Sequence, residues 1–358
     1  MKYLLITIGI LVAGLTLTLH AIDLTSELVI SGADAQYIPM TTHTYGTIFA
    51  RLIDTDKVTS ELHYQFGDNK QNINVAYVKF MRGNIDITVG RQLMAWGSGY
   101  NFNPTDIFNS KPLGAAFDPA YTKTGRDAIT LDSYWDGLIA EVIFAPGYYR
   151  ESIYDASTTI TENGQEDWGV RLKKNLFNYD ITLSYVRLGQ RTYNGAIESS
   201  DDLYGISAKG SLPVLDWGVW LEAAQYTQQR QYELTCGLEY FWGDWTFNLE
   251  YFRNGFGNAD KTAYDLSYLL RGRTLGRDYL IPSVSLVIDE KLTLSGFAFY
   301  NINDTSSITG GVIDYFYNDT IEIVFMPFFI NGDSSSEYGL QKAAYGDYGV
   351  QYFIKATF

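Results

Sequence analysis

A single cysteine, Cys236, stands in 358 residues, so neither an intramolecular disulfide nor a cysteine-based metal centre can form. It falls among apolar neighbours in a strand-like pattern and reads as an ordinary wall residue. Histidine is almost as scarce: beyond residue 21 only His43 and His63 remain. His63 shares a strand face with Glu61, whereas Ser60 points the other way, so no Ser–His pair forms there. His43 falls in the first long connection. No HExxH helix, GxSxG elbow or phosphate-cradling glycine loop is present. These shortages argue against an enzyme, a bound metal and a cofactor; a barrel-wall hydrolase stays as the minor alternative.

Positive charge is also short, with 26 basic residues against 41 acidic ones and a net charge of −15. Nucleic acid is therefore excluded as a partner, because binding it needs a basic footprint. The acidic balance suits loops that meet divalent cations at a lipopolysaccharide surface, and it equally suits plain solubility. After residue 21 no run of ~20 apolar residues occurs, so no helix is expected to cross a membrane.

The first 21 residues differ from the rest. Lys2 precedes an apolar core from Tyr3 to about Leu19, and Ala21 is a plausible cleavage position, the pattern of a secretory signal peptide. An N-terminal membrane anchor is the competing reading. Residues 1–21 are set aside as the signal peptide and 22–358 form one domain.

That domain is rich in aromatic residues, with 29 Tyr and 20 Phe in the chain, arranged in short runs of alternating apolar and polar residues. Counting runs of period two yields about eighteen strands, each near the ~9–11 residues that a tilted strand needs to cross a bilayer. Sixteen is the alternative count. The connections alternate in length. Tight ones fall at Asp54–Lys57, Arg82–Asn84, Tyr134–Gly137, Asn175–Asn178, Ser211–Val214, Trp242–Asp244, Ile288–Glu290 and Tyr317–Asp319. The long ones are 92–125, 147–165, 190–201, 254–277 and 330–346. Short turns at one end and long loops at the other describe an all-β, antiparallel, up-and-down transmembrane β-barrel. In 244–253, Trp245, Phe247, Leu249 and Tyr251 oppose Thr246, Asn248 and Glu250. A lipid-facing Lys or Arg costs roughly 2–4 kcal/mol at the bilayer midplane, so the charged phase must face the lumen. Arg91 and Arg187 break this rule near strand ends, and 72–82 changes phase midway, which a rim position or a bulge explains.

One segment follows neither rhythm. From Gly90 to Asp127 the chain reads GRQLMAWGSGYNFNPTDIFNSKPLGAAFDPAYTKTGRD, dense in glycine, proline and aromatics. Such a loop is functional or disordered, and its aromatic content favours a structured loop folded against or into the barrel.

The C-terminal strand ends in aromatic alternation closed by Phe358, preceded by Tyr352 and Ile354. This resembles the terminal signature by which Gram-negative outer-membrane proteins are handed to the barrel-assembly machinery. Gly90-Arg91-Gln92, Trp96-Gly97 and Asn103-Pro104-Thr105-Asp106 are similar to a motif of porin-like barrels, among them alginate-export-type channels and related families. The resemblance implies an outer-membrane channel for small hydrophilic solutes, in contact with outer-membrane lipid and lipopolysaccharide. It also makes a homo-oligomer an open expectation. In such porins the third external loop folds into the lumen and narrows it, and the long motif loop here also follows the fifth strand.

On that reading, Asp106 and Asp118 on the loop face the lumen-phase basic residues Arg51, Arg126, Arg171 and Lys173 across a constriction. Trp96, Gly97, Asn103 and Pro104 anchor the loop, and Asn103–Asp106 equally reads as a local turn. The loop aromatics also offer a stacking path for sugars. Glu61, Glu141, Glu222, Glu239 and Glu250 take the lumen phase, so weak cation preference is expected. A plugged structural or adhesive barrel is the main competing function.

Overall fold

The computed structural model describes residues 23–36, 38–67, 70–109, 125–153, 159–212, 216–270 and 273–358. The expected signal peptide, 1–21, lies outside them. Eighteen antiparallel strands close into one barrel. They are β1 (Asp23–Ala35), β2 (Ile38–Asp54), β3 (Val58–Gly67), β4 (Lys70–Arg82), β5 (Ile85–Gln92) and β6 (Arg126–Trp135). Next come β7 (Leu138–Ala145), β8 (Asp167–Leu176), β9 (Tyr179–Leu188), β10 (Asp201–Leu212), β11 (Trp217–Tyr226) and β12 (Gln231–Trp242). The circuit ends with β13 (Trp245–Asn254), β14 (Asp278–Val287), β15 (Leu292–Asn301), β16 (Ser307–Asn318), β17 (Ile321–Asn331) and β18 (Tyr348–Thr357). Each strand pairs with its sequence neighbours, and β1 pairs with β18, Glu27 opposite Thr357. Ser26 and Phe358 exchange both backbone hydrogen bonds at this seam, at 3.0 and 2.8 Å. Among the described residues the barrel has no unpaired edge strand, as a sheet in hydrocarbon requires.

The eight tight connections all fall at the end where β1 begins and β18 finishes. Asp136 and Gly137 both have positive φ, 44° and 75°, the twist that a two-residue hairpin demands. The opposite end carries every long loop. Two of these loops add a small sheet of their own, Tyr148–Ile153, Thr159–Gly164, Arg191–Tyr193 and Ala196–Glu198. The connection 255–277 holds the short helix α1 (Ser267–Leu270), and the last loop holds α2 (Glu337–Tyr345).

The outer face is an apolar belt. Leu221, Val142, Ile129, Leu249 and Phe325 expose 37–46% of their surface there. Aromatic residues flank it: Trp135, Trp242, Trp245 and Tyr317 at the short-turn end, Trp168, Tyr204, Tyr232 and Tyr348 at the loop end. Amphipathic rings take such positions at bilayer interfaces. Cys236 lies on this outer face, opposite Leu221 and Tyr251 in register.

The sequence irregularities have local causes. Arg91 is paired in register with Asp127 and forms a two-pronged ion pair with it at 2.9 and 3.1 Å. Arg187 meets its register partner Asp202 at 3.4 Å, and Arg253 meets Asp278 at 3.2 Å. All three pairs stand at the loop end of the outer face, above the apolar belt. The phase change in β4 is a β-bulge: His63 faces Val75 while Tyr64 faces Ile73, leaving Asn74 as the extra residue. One expectation is corrected. His43 lies in β2, opposite Ser31 of β1, and not in a loop, because the first hairpin extends the β1–β2 ladder to Ile38.

Candidate functional site: a loop held inside the barrel

After Gln92 the chain leaves the wall, and residues 93–109 run through the barrel interior. Its fastenings are side chains on the lumenal faces of β7, β8 and β11–β13. Alternation along each strand aims these residues inward, since the neighbours between them face the apolar belt.

The first fastening is Trp96, only 2% exposed. Its Nε1 donates to Glu141 Oε1 at 2.9 Å. Arg171 also donates to Glu141, binds the Ala95 carbonyl at 3.0 Å and places its guanidinium 5.1 Å from the Trp96 ring. Phe108 meets that ring edge-on at 5.0 Å.

Two carboxylates then grip the loop backbone. Glu222 accepts from the amides of Ser98, Gly99 and Thr105 and from Thr105 Oγ1, the last two at 2.7 and 2.9 Å. Glu250 accepts from the amides of Tyr100, Asn101 and Phe102 at 2.8, 3.0 and 3.1 Å, and from Trp220 Nε1 at 3.0 Å. Both acids are almost wholly buried, at 0% and 1% exposed. A buried carboxylate is costly unless its oxygens are saturated with donors. Four donors each meet that demand, and charge-assisted bonds of this kind contribute about 1.5–3 kcal/mol apiece.

Aromatic contacts complete the hold. Phe102 stacks on Phe252 with centroids 4.1 Å apart and planes 3° from parallel. Tyr100 donates to Glu239 at 2.7 Å, with Lys209 Nζ 4.6 Å from its ring. Partial burial and the neighbouring Glu239 push this phenol up to about 12, so it stays a donor at neutral pH. Gly97 is required by space and by backbone. Its φ is 110°, and a Cβ would meet Asn103 Oδ1 at 2.7 Å and Glu222 Oε2 at 2.8 Å.

The Asn103–Asp106 stretch is a turn, with the Asp106 amide on the Asn103 carbonyl at 3.1 Å; Pro104 is buried within it. Asp106 is 5% exposed and accepts from Asn109 at 2.8 Å. Asn109 also exchanges hydrogen bonds with both backbone groups of Met94, at 2.9 and 2.6 Å, which closes the base of the loop. Asp118 lies outside the described residues.

Each basic candidate has a carboxylate of the wall as its partner. Arg51 lies 3.4 Å from Asp54 and 3.6 Å from Glu61, and Lys173 lies 3.3 Å from Asp180. Arg126 is buried against Asp167 at the loop end, where Arg191 joins the same carboxylate at 3.2 Å. Arg171 is thus the candidate that the structure brings directly to the loop. Arg51 and Lys173 stand nearer the short turns, and Arg126 at the opposite end of its strand.

The loop with α2 is locked separately. Glu337, 2% exposed, accepts from the amides of Leu275 and Gly276 at 2.9 and 3.3 Å, from Asn301 at 2.8 Å and from the Tyr279 hydroxyl. Tyr338 packs with Ile308, Phe328 and Ile330 on the inner wall.

Among solved structures, the chain is similar to Acinetobacter baumannii OccAB4, at 9% identity and TM-score 0.60, over 95% of this chain and 99% of that one. The fold is that of the porins. Pseudomonas aeruginosa OccK10 (OpdN) aligns equally well, at 11% identity and TM-score 0.60, over 95% and 99%. A mutant of the Rh. blastica porin aligns at 14% identity and TM-score 0.52, over 94% and 100%. No family model matches the chain, and no curated protein does.

Proposed function

We propose that this porin-fold barrel is a passive outer-membrane channel for small hydrophilic solutes, with the 93–109 loop narrowing its lumen. The observation that carries this reading is the clamp by Glu222 and Glu250, which fastens a loop from one part of the wall to another through the interior. An eighteen-stranded barrel encloses an aqueous passage unless something fills it. A loop with its backbone tied along the wall narrows that passage at a fixed level. The leader at 1–21 fits export to the outer membrane, and the apolar belt with its aromatic flanks fits residence there among lipid and lipopolysaccharide. Phe358, 74% exposed at the seam, is available to the barrel-assembly machinery. The scarcity of histidine supports a channel over an enzyme.

The charges also support mild cation selectivity. Glu141, Glu222 and Glu250 face the loop, so the open lumen is governed by Glu61, Asp86, Asp132, Asp180, Asp314 and Glu322, against Arg51, Lys79, Lys173 and Lys355. Asp118 is retained as a constriction residue in this proposal, whereas the buried Asp106 holds the turn.

Planar-bilayer recordings of the refolded protein under a salt gradient test the reading. Stable ohmic steps with a reversal potential of cation-preferring sign are expected. A folded, heat-modifiable barrel that passes no current would overturn the open channel.

A further inference from the structure

Away from the strands that hold the loop, the inner wall from β15 to β18 breaks the rule that a channel lumen is polar. The inward positions there include Phe297, Val312, Val324, Met326 and Phe353, with Ser295 opposite Val312 and Gln351 opposite Met326 as polar neighbours. The upper part of this wall has a structural partner, because Tyr338 of α2 covers Ile308, Phe328 and Ile330. Phe297, Val312, Met326 and Phe353 belong to none of the buried clusters and remain partly exposed.

The Phe297 ring is not upright. It reaches across the inner surface of Gly310, so that a Cβ on that glycine would lie 2.7 Å from the ring. Phe297 also meets Phe299 edge-on with centroids 5.9 Å apart, which concentrates aromatic surface on this part of the wall. Below the strip the wall turns acidic. Asp314 lies opposite Val324 and is partly exposed; its buried Oδ1 has no hydrogen-bond partner among the described residues. Glu322 is paired with Lys355, and Glu27 lies two residues along β1 from the register partner of Lys355. Three carboxylates thus stand near one ammonium group, on the same wall as the aromatic residues.

We propose that this strip is a binding track for small organic cations that carry a flat aromatic body, of the arylalkylammonium class. The ring of such a solute stacks on Phe297 and Phe353 and its ammonium faces Asp314. Both attractions act on one molecule only when ring and positive charge are joined. The proposal rests on the channel reading for the solute's route, but the wall can be probed whether or not the pore conducts.

The test is equilibrium binding to the refolded full-length barrel in micelles, by calorimetry or saturation-transfer NMR. Phenethylammonium is compared with ethylammonium, which lacks the ring, and with phenylacetate, which carries the opposite charge. Phenethylammonium should bind about tenfold tighter than either. Phe297→Leu keeps apolar bulk but removes the π face, and it should weaken binding about fivefold, as should Asp314→Asn. Heat-modifiable migration establishes that each variant is folded. Equal binding of the three probes, or undiminished phenethylammonium binding by folded Phe297→Leu and Phe353→Leu, overturns the track. Current recordings separate the two readings. Binding without conductance defeats the channel and leaves the track, whereas conductance without discrimination among the probes defeats the track alone.

Discussion

Glu222 Oε1 accepts the backbone amide of Thr105 at 2.7 Å, across 117 positions of sequence. One strand side chain therefore fixes the position of a loop that begins on a different part of the wall.

Removing the clamp should loosen the loop without opening the barrel. Each lost charge-assisted bond is worth about 1.5–3 kcal/mol, and Glu222→Ala with Glu250→Ala removes several at once. Single-channel recordings of the double variant should show larger and noisier steps, while the folded form still migrates as a heat-modifiable band. Conductance identical to that of the parent would mean that Trp96, Phe102 and the Asn109 closure hold the loop alone.

Leu249 and Asn248 are sequence neighbours on opposite faces of β13. Arginine at Leu249, in the apolar belt, should cost roughly 2–4 kcal/mol in a lipid-based unfolding titration. Arginine at Asn248 faces the lumen, so it should leave the midpoint nearly unchanged and move the reversal potential toward anions. The reverse pattern would invert the assignment of faces for the whole barrel.

Gly90 sits in β5 with φ 127°, and a Cβ there would run into the Ala76 carbonyl and lie 2.9 Å from Tyr77 Cα. Gly90→Ala should destabilise the β4–β5 pair by about 1–3 kcal/mol, the usual cost of such a strained backbone. A lower temperature of the heat-modifiable transition is the readout, and an unaltered transition would show that the bulge at Asn74 absorbs the strain.

Burial holds the Glu337 carboxyl above the ordinary glutamate range, and the nearby Asp304 adds to the effect. An acid raised in this way prefers its protonated form when the loop is docked, so docking takes up a proton. That contribution is complete below the usual glutamate value of about 4.3 and is lost as pH rises through the raised one. Hydrogen exchange of the 337–345 amides, corrected for intrinsic rates, should therefore quicken from mildly acidic to alkaline buffer. In Glu337→Gln the trend should flatten, and a trend that survives the substitution must come from another group.

The barrel was legible because each physical constraint leaves a separate mark on the chain. Alternation gives the strands, and the sorting of loop lengths gives the up-and-down order. The outward arginines became intelligible only with the register, since Arg91 finds Asp127 some 36 positions away and neither residue announces the other. The clamp was the least visible part. Glu222 and Glu250 could be placed in the lumen phase, but their partners are backbone amides, which carry no side-chain signature. A mid-strand carboxylate close to Trp220 was the available hint, because an acid buried beside an indole must find donors. The β4 phase break was visible, whereas locating the extra residue at Asn74 required the pairing with β3.

The seam between Ser26 and Phe358 makes the wall indivisible. Because β1 pairs with β18, removing any one strand exposes two hydrogen-bonding edges at once, and an open edge in hydrocarbon leaves its backbone groups unsatisfied. The sheet is therefore held as a ring, and not as a row of separable hairpins.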